Sequence, residues 1–432
     1  MSRSEDLVRR KDRAVARGVA TRAVTVNRAR NAELWDEDGR RFIDFAAGIA
    51  VNNTGHRHPK VMAAVAKQAE AFTHSCFHVA PYEGYVRLAE RLNAATPGDF
   101  PKKTMLATTG AEAVENAVKM ARAFTGRSGI IAFSGAFHGR TLMGMALCGK
   151  VAPYKKGFGA MPPEVHHAPF PHEFHGVTSE AAIDELRRLL RSSIDPDRVA
   201  AMIVEPVQGE GGFYPAPAAF LQELRRIADE HRMVLIADEV QAGIGRTGRL
   251  FAFEHAGVAA DLVCMAKGLG GGFPLSAVTG RAEIVDAPGV GGLGGTYAGN
   301  PMSVAAANAV LDVIAEEDLC ARAADIGRTI RERLTGLAAT PEGSGIGEVR
   351  GQGAMVAFEL VSDRTTRTPD ASLCSAIVAE AEARGLVLLA CGVYGNVVRL
   401  LPPLTIEAEV LDEGLGLIEA AVAAAARQLQ AA

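Results

Sequence analysis

The strongest constraint on the fold of this chain is a set of short stretches that are apolar at almost every position. They fall at residues 104–107, 129–133, 201–204, 234–237 and 262–266. A strand with one wet face alternates polar and apolar side chains. A strand apolar throughout is covered on both faces, as in a parallel sheet. Between these runs lie segments with helical spacing: 111–124, closed by Gly126, then 178–191 and 218–232. The last of them sets Leu221, Leu224, Ile227 and Ala228 on one stripe. Strand–helix alternation of this kind predicts an α/β fold, a mostly parallel central sheet with helices on both faces. We expect this large domain to span residues 56–320. After Glu316-Glu317-Asp318 the rhythm changes to a helix, a Gly-rich turn at 343–347, strand-like 354–361, a helix near 371–384, strands at 386–389 and 397–401, and a final helix. That pattern predicts a smaller α+β domain over 321–432, with residues 1–55 docking on it. A chain of 432 residues has room for such a division.

Charge and composition exclude several classes of partner. A net charge of −4 gives no electrostatic reason to expect nucleic acid or an anionic membrane. The longest apolar run, 420–426, is Ala-rich and closed by Glu419 and Arg427, which fits a surface helix and not a span. No secretory leader is expected at the N-terminus, where the apolar residues are scattered among charges. The six cysteines are dispersed without a CxxC pair, the usage of free thiols in a reducing cytoplasm. His166, His167, His172 and His175 crowd one Pro-rich loop without cysteine, and read as surface histidines with no metal.

One stretch asks a sharper question. "ADEVQAGIGRTG", residues 237–248, runs from a strand into an acidic pair and then spells Gly243-x-Gly245-x-x-Gly248. A dinucleotide-binding turn needs its glycines directly after the strand and a helix opening at the third. Here residues 238–242 intervene, no helical period follows Gly248, and the next strand ends in Lys267 instead of an acid. The acid is therefore the working part. Open α/β sheets bind ligands at the carboxyl ends of their strands, where Asp238 and Lys267 stand on neighbouring strand ends. A desolvated lysine loses its proton readily and forms a Schiff base. A carboxylate beside a pyridine nitrogen keeps it protonated and makes the ring an electron sink. Pyridoxal 5'-phosphate needs both. Three further stretches suit it. Thr108-Thr109-Gly110-Ala111-Glu112 opens a helix whose N-terminus is a phosphate seat. Phe137, in "AFHGR", offers a ring for stacking. Thr296, in the Gly-rich loop 294–301, offers a hydroxyl to phosphate.

These residues sit in longer motifs. "LWDEDGRRFIDFAAGIAVNNTGHRHPKV", "FHGRT", "EPVQGEGG", "ADEVQAGIGRTG", "MAKGLGGGFPLSAVTG" and "GTYAGNP" together resemble the class III aminotransferases, which are fold type I pyridoxal-phosphate transferases. The likeness runs from about residue 20 to near the C-terminus. Within the family, "PGDFPKKTMLATTGAEAVENAVKMARAFTGR" and "AFHGRTLMGMALCGKVAPYKKGFGAMP" are most similar to the 4-aminobutyrate aminotransferases, with acetylornithine, ornithine and 5-aminovalerate aminotransferases as the alternative.

The resemblance implies roles residue by residue. Lys267 holds the cofactor covalently and shuttles a proton, and Asp238 pairs with the pyridine nitrogen. Val240 and Phe137 pack on the ring, Gln241 approaches its phenolic oxygen, and His138 and Glu205 complete that shell. Gly110 and Ala111 contact the phosphate through backbone N–H groups. Many relatives have Ser at the second position and Tyr where Phe137 stands, so two side-chain hydrogen bonds are missing. Thr296 reaches the phosphate of a neighbouring subunit, implying a homodimer or a dimer of dimers. Ile49, Arg140, Glu210 and Arg399 line the substrate pocket, with Glu205 beside them. The implied partners are a small amino donor and 2-oxoglutarate, exchanged in a ping-pong reaction.

Overall fold

Every residue of 234–238 is buried, and so is every residue of 129–133, 199–204 and 262–265. The computed structural model, which describes residues 2–431, turns these runs into one seven-stranded sheet. In chain order its strands are β1 (Lys102–Ala107), β2 (Gly129–Phe133), β3 (Val165–Ala168), β4 (Val199–Val204), β5 (Val234–Asp238), β6 (Leu262–Met265) and β7 (Ser276–Arg281). Their spatial order is β1-β7-β6-β5-β4-β2-β3. β7 runs antiparallel to both neighbours, and the other pairings are parallel.

Burial on both faces can be read residue by residue, because successive side chains point to opposite sides of a strand. Val234 and Ile236, Leu262 and Cys264, Ile130 and Ala132 pack into one core with Ala113, Val114 and Ala117 of α1 (Gly110–Thr125). Leu235 and Ala237, Val263 and Met265, Ile131 and Phe133 pack into the other with Phe220, Leu224 and Ile227 of the helix Ala218–His231. Truncating one such side chain, Leu224 to Ala, removes a contact typically worth ~2–5 kcal/mol.

Two strands escape the sequence pattern. β3 lies inside the His-rich stretch expected to be a loop, so His166 and His167 are strand residues, half-buried at the sheet edge. β7 reads "SAVTGR", yet Ser276 and Thr279 are fully buried. Thr279 shares a hydrogen bond of 2.7 Å with Thr104, and a side chain at Gly280 would strike the carbonyl of Asp261. Internal pairing and a close backbone approach take the place of apolar alternation there.

The C-terminal part carries an antiparallel sheet of Ile346–Gln352, Met355–Asp363, Val397–Leu400 and Leu389–Cys391. The expected boundary after residue 320 falls just inside the helix Leu319–Ala338, which starts after Asp318. Three N-terminal strands, Arg28–Arg30, Glu33–Trp35 and Arg41–Asp44, join Leu386–Val387 in a second small sheet. The start of the chain thereby shares hydrogen bonds with its C-terminal part.

The six cysteines are free. Among the described residues no cluster of His, Cys, Asp and Glu is placed to hold a metal. His175 is instead bound to Glu359 at 2.7 Å. No helix among the described residues is long and apolar enough to cross a membrane.

Candidate active site

β5 ends in Asp238, which pairs in register with Cys264 of β6. Continuing past β6, the chain reaches Lys267 in a left-handed conformation, φ 45°. That conformation is uncommon for a residue with a side chain and is typical of functional turns. A cavity of about 410 Å³ opens here, lined by Asp238, Val240 and Gln241 after β5, Lys267 after β6, Gly110 and Ala111 at the start of α1, and Phe137, His138 and Glu205. It lies at the carboxyl ends of the parallel strands and falls within the usual size of a small-ligand site.

α1 is prepared for an anion. Thr109 caps it by accepting from Glu112 N, while the Glu112 carboxylate accepts from the backbone N–H of Thr108 and Thr109. The first helical N–H groups, at Gly110 and Ala111, lack intrahelical acceptors and carry the positive end of the helix dipole. A Cβ at Gly110 would come within 2.9 Å of the Val240 side chain, so the cavity wall closes here only around glycine.

Asp238 is buried, accepts from Val240 N at 3.1 Å, and holds His138 Nδ1 at 2.7 Å. Burial opposes a charge on His138, but Asp238 outweighs it and raises the imidazole pKa. Glu205 accepts from Phe137 N and Gly209 N, and burial pushes its pKa up to about 7. Burial lowers the pKa of Lys267 and outweighs the opposing charge of Glu210.

The site fits pyridoxal phosphate on its own geometry. His138 Nε2 and Gln241 Oε1 are buried without any hydrogen-bond partner in the protein, and both residues line the cavity. Unpaired buried polar atoms are costly, and in a functional cavity they mark where a ligand belongs. A carboxylate for a pyridinium, a nucleophilic amine, an anion seat and the Phe137 ring surround one space.

The remaining candidates, Ile49, Arg140, Glu210, Thr296 and Arg399, are not among the residues that line this cavity. Arg399 is buried, and its Nη1 donates to Glu210 Oε1. Burial works against the charge of Arg399, yet Glu210 raises its pKa, while Arg399 lowers that of Glu210 against burial. The Glu210 turn, which its glycines mark as flexible, is tied at several points. Gly209 N donates to Glu205, Gly392 N donates to the Glu210 carbonyl at 3.0 Å, and Arg350 donates to the Gly212 carbonyl. These contacts anchor the backbone around Glu210 and leave its side chain free of them.

Arg140 is exposed, with its guanidinium 5.5 Å from the centre of the Tyr154 ring. Ile49 is exposed in a run, Ala47 to Ala50, where every φ is positive. Asp44 fixes that run by accepting from the N–H of Ala46 and Ala47. Thr296 is exposed and does not line the cavity of its own chain. Sequence reasoning missed Tyr154, which touches Phe137, Arg140 and Glu210. It lies outside any periodic element, and only its neighbouring lysines in "APYKK" set it apart.

Comparison with known proteins agrees with this geometry. The family profile described as aminotransferase class-III matches residues 14–422. The chain is 52% identical to a 4-aminobutyrate aminotransferase of Escherichia coli strain K12, over 97% of this chain and 98% of that protein. It is 51% identical to a 5-aminovalerate aminotransferase of Pseudomonas aeruginosa, over 96% and 97%. Among solved structures, an amine transaminase from an uncultivated Pseudomonas species, in its PLP-bound form, superposes with a TM-score of 0.86 at 32% identity, covering 96% of this chain and 97% of that one.

Proposed function

The chain belongs to the class III aminotransferases, and from that premise we infer that it transfers the amino group of 4-aminobutyrate to 2-oxoglutarate, giving succinate semialdehyde and glutamate. Pyridoxal phosphate, when bound, supplies the electron sink for the bond broken at the amino carbon. The protein supplies position and protons. Asp238, steadied by His138, would keep the pyridine nitrogen charged. The N–H groups opening α1 take the phosphate. Phe137 and Val240, which line the cavity, would pack on the ring, and Gln241 would face its phenolic oxygen. Lys267, whose ammonium burial makes easier to deprotonate, would hold the cofactor and carry the proton at the substrate's amino carbon.

The observation that carries the choice of substrate is the Glu210 carboxylate seated on Arg399. Glutamate presents two carboxylates and 4-aminobutyrate one. A guanidinium binds a carboxylate through paired hydrogen bonds, so Arg140 is suited to the distal carboxylate of either substrate. Arg399 is suited to the second carboxylate of glutamate. With 4-aminobutyrate bound, a buried Arg399 without a counter-charge would cost about 3–5 kcal/mol. Glu210 supplies that counter-charge from within and turns aside for the dicarboxylate. A donor panel with 2-oxoglutarate as acceptor tests this reading. We expect the highest kcat/KM for 4-aminobutyrate, with 5-aminovalerate close behind, because one methylene discriminates by only ~1–3 kcal/mol. Ornithine or N-acetylornithine as the best donor would overturn it. The Pseudomonas relative favours 5-aminovalerate as the second reading, and the same panel ranks the two.

The exposure of Thr296 supports its reaching the phosphate of a partner subunit, within a homodimer or a dimer of dimers. A cofactor-saturated, fully active monomer in sedimentation would refute that assembly.

A further inference from the structure

Both oxygens of the Glu210 carboxylate are engaged. Oε1 accepts from Arg399 Nη1, and Oε2 accepts from the Tyr154 hydroxyl at 3.2 Å. Tyr154 is itself buried, with its ring 4.8 Å from that of Phe137 and the Arg140 guanidinium over its outer side. One phenol therefore contacts the aromatic wall of the cofactor cavity, the arginine suited to the distal carboxylate and the acid that covers the other arginine. The Glu210 carbonyl accepts from the Gly392 N–H, so rotation of the side chain uncovers Arg399 with the backbone contact kept.

We propose that Tyr154 is a positioning residue that latches Glu210 onto Arg399 and so sets the balance between monocarboxylate and dicarboxylate substrates. The proposal rests on the Glu210–Arg399 reading given above. The physical reason is the inventory of donors. A buried carboxylate is held by what donates to it, and a hydrogen bond to a charged group is among the stronger ones. Rotation of Glu210 away from Arg399 gives up the contact that Tyr154 makes in the seated pose, so the hydroxyl stabilises the pose suited to 4-aminobutyrate. The aromatic body of Tyr154 does separate work, since its packing on Phe137 and beneath Arg140 needs no hydroxyl. Tyr154→Phe dissects the two by deleting one oxygen.

The test uses cofactor-loaded enzyme and measures each half-reaction alone, with 4-aminobutyrate and with glutamate. Tyr154→Phe should lower kcat/KM for 4-aminobutyrate roughly tenfold relative to glutamate, the loss expected from one hydrogen bond to a carboxylate. The glutamate half-reaction should be unchanged or improved through a lower KM, a split that general loss of packing would not produce. Equal changes in both half-reactions would overturn the proposal. Glu210→Ser, measured in parallel, separates the two levels of the argument. If it is selective against 4-aminobutyrate while Tyr154→Phe is not, the latch fails and the switch stands. If Glu210→Ser lowers both half-reactions equally, the switch fails and the latch with it. In the double variant, Tyr154→Phe should shift the substrate ratio no further than Glu210→Ser alone. A full additional tenfold shift there would mean that the phenol acts by another route.

Discussion

The stretch from Ala237 to Gly248 serves two regions of the molecule, and they use buried polar groups differently. On the cavity side, Asp238 lies beside a space, with His138 Nε2 and Gln241 Oε1 left without protein partners. On the far side, Glu239 and Arg246 are buried among internal partners, although Arg246 Nε and Thr247 Oγ1 are left without one. Glu239 accepts from Ala252 N at 2.9 Å and from Phe253 N at 2.8 Å, fixing the short helix Ala252–Ala256. Arg246, fully buried, donates to the carbonyls of Ala354 and Pro402 and to Asn53 Oδ1, joining three distant parts of the chain. What marks the site is vacant hydrogen-bonding capacity on residues that line a cavity. In the packed scaffold the buried charges are held by several internal contacts, and a vacancy such as Arg246 Nε faces no such space. Burial and charge alone do not tell them apart.

Substitutions that separate chemistry from scaffold test that contrast most directly. Lys267→Ala should have the largest effect, a loss of transamination of at least ~10⁴-fold, the upper range for removing a general acid–base. The variant should fold with a melting temperature near that of the parent and lose the visible absorbance of the bound cofactor. Normal turnover, with the cofactor reducible onto another lysine, would remove Lys267 from the centre of the site. Asp238→Asn keeps the shape but not the charge, and should cost roughly 10²–10³-fold in the proton-transfer step, the scale of losing one electrostatic stabiliser. The cofactor should still bind. A single-turnover rate near that of the parent would break the contrast with Glu239.

Arg246→Met inverts the expectation. It orphans two carbonyls and Asn53, each unpaired buried acceptor costing ~1–3 kcal/mol, so stability should fall by about 3–5 kcal/mol in denaturant titration. The folded fraction should keep its kcat/KM within a factor of about three. A selective loss of activity at unchanged stability would place Arg246 with the site instead.

How far the sequence reveals this arrangement follows from the same physics. Strands buried on both faces print continuous apolar runs, so β2, β4, β5 and β6 are legible from composition. β7 is not, because Thr279 and Gly280 reach burial through pairing and close approach, which one strand's sequence does not encode. Asp238 and Lys267 are legible as polar residues stranded at the ends of apolar runs. Their partners are harder to find. His138 meets Asp238 from 100 residues away, and Tyr154 meets Glu210 across 56 residues, distances that no local pattern spans. The glycines of "GIGRTG" mislead for a related reason. Gly245 and Gly248 are in left-handed turns, φ 84° and 89°, that bring Arg246 to its carbonyls, so turn geometry imitates a nucleotide motif.

Both regions respond to pH through a buried carboxyl, Glu239 in the scaffold and Glu205 at the cavity. Burial, partly offset by the two backbone donors, pushes the pKa of Glu239 from 4.5 up to about 7. A carboxyl whose folded pKa is raised favours the folded state most while it is protonated. Its contribution is fully present below pH 4.5 and is lost as the pH rises through 7. At ~1.4 kcal/mol for each pH unit between the two values, the charged form costs about 3 kcal/mol by neutral pH. Glu239→Gln removes that titration but offers one oxygen to two N–H donors, forfeiting roughly one hydrogen bond of ~1 kcal/mol. The variant should therefore be slightly less stable than the parent at pH 5 and equal or more stable at pH 8. Denaturant midpoints measured across that window should show the crossing. Glu205, also pushed up to about 7, keeps its own titration in both proteins, so the variant's slope should shrink without vanishing. Parallel stability curves would show that Glu239 does not titrate in this range, and that the two N–H donors outweigh burial.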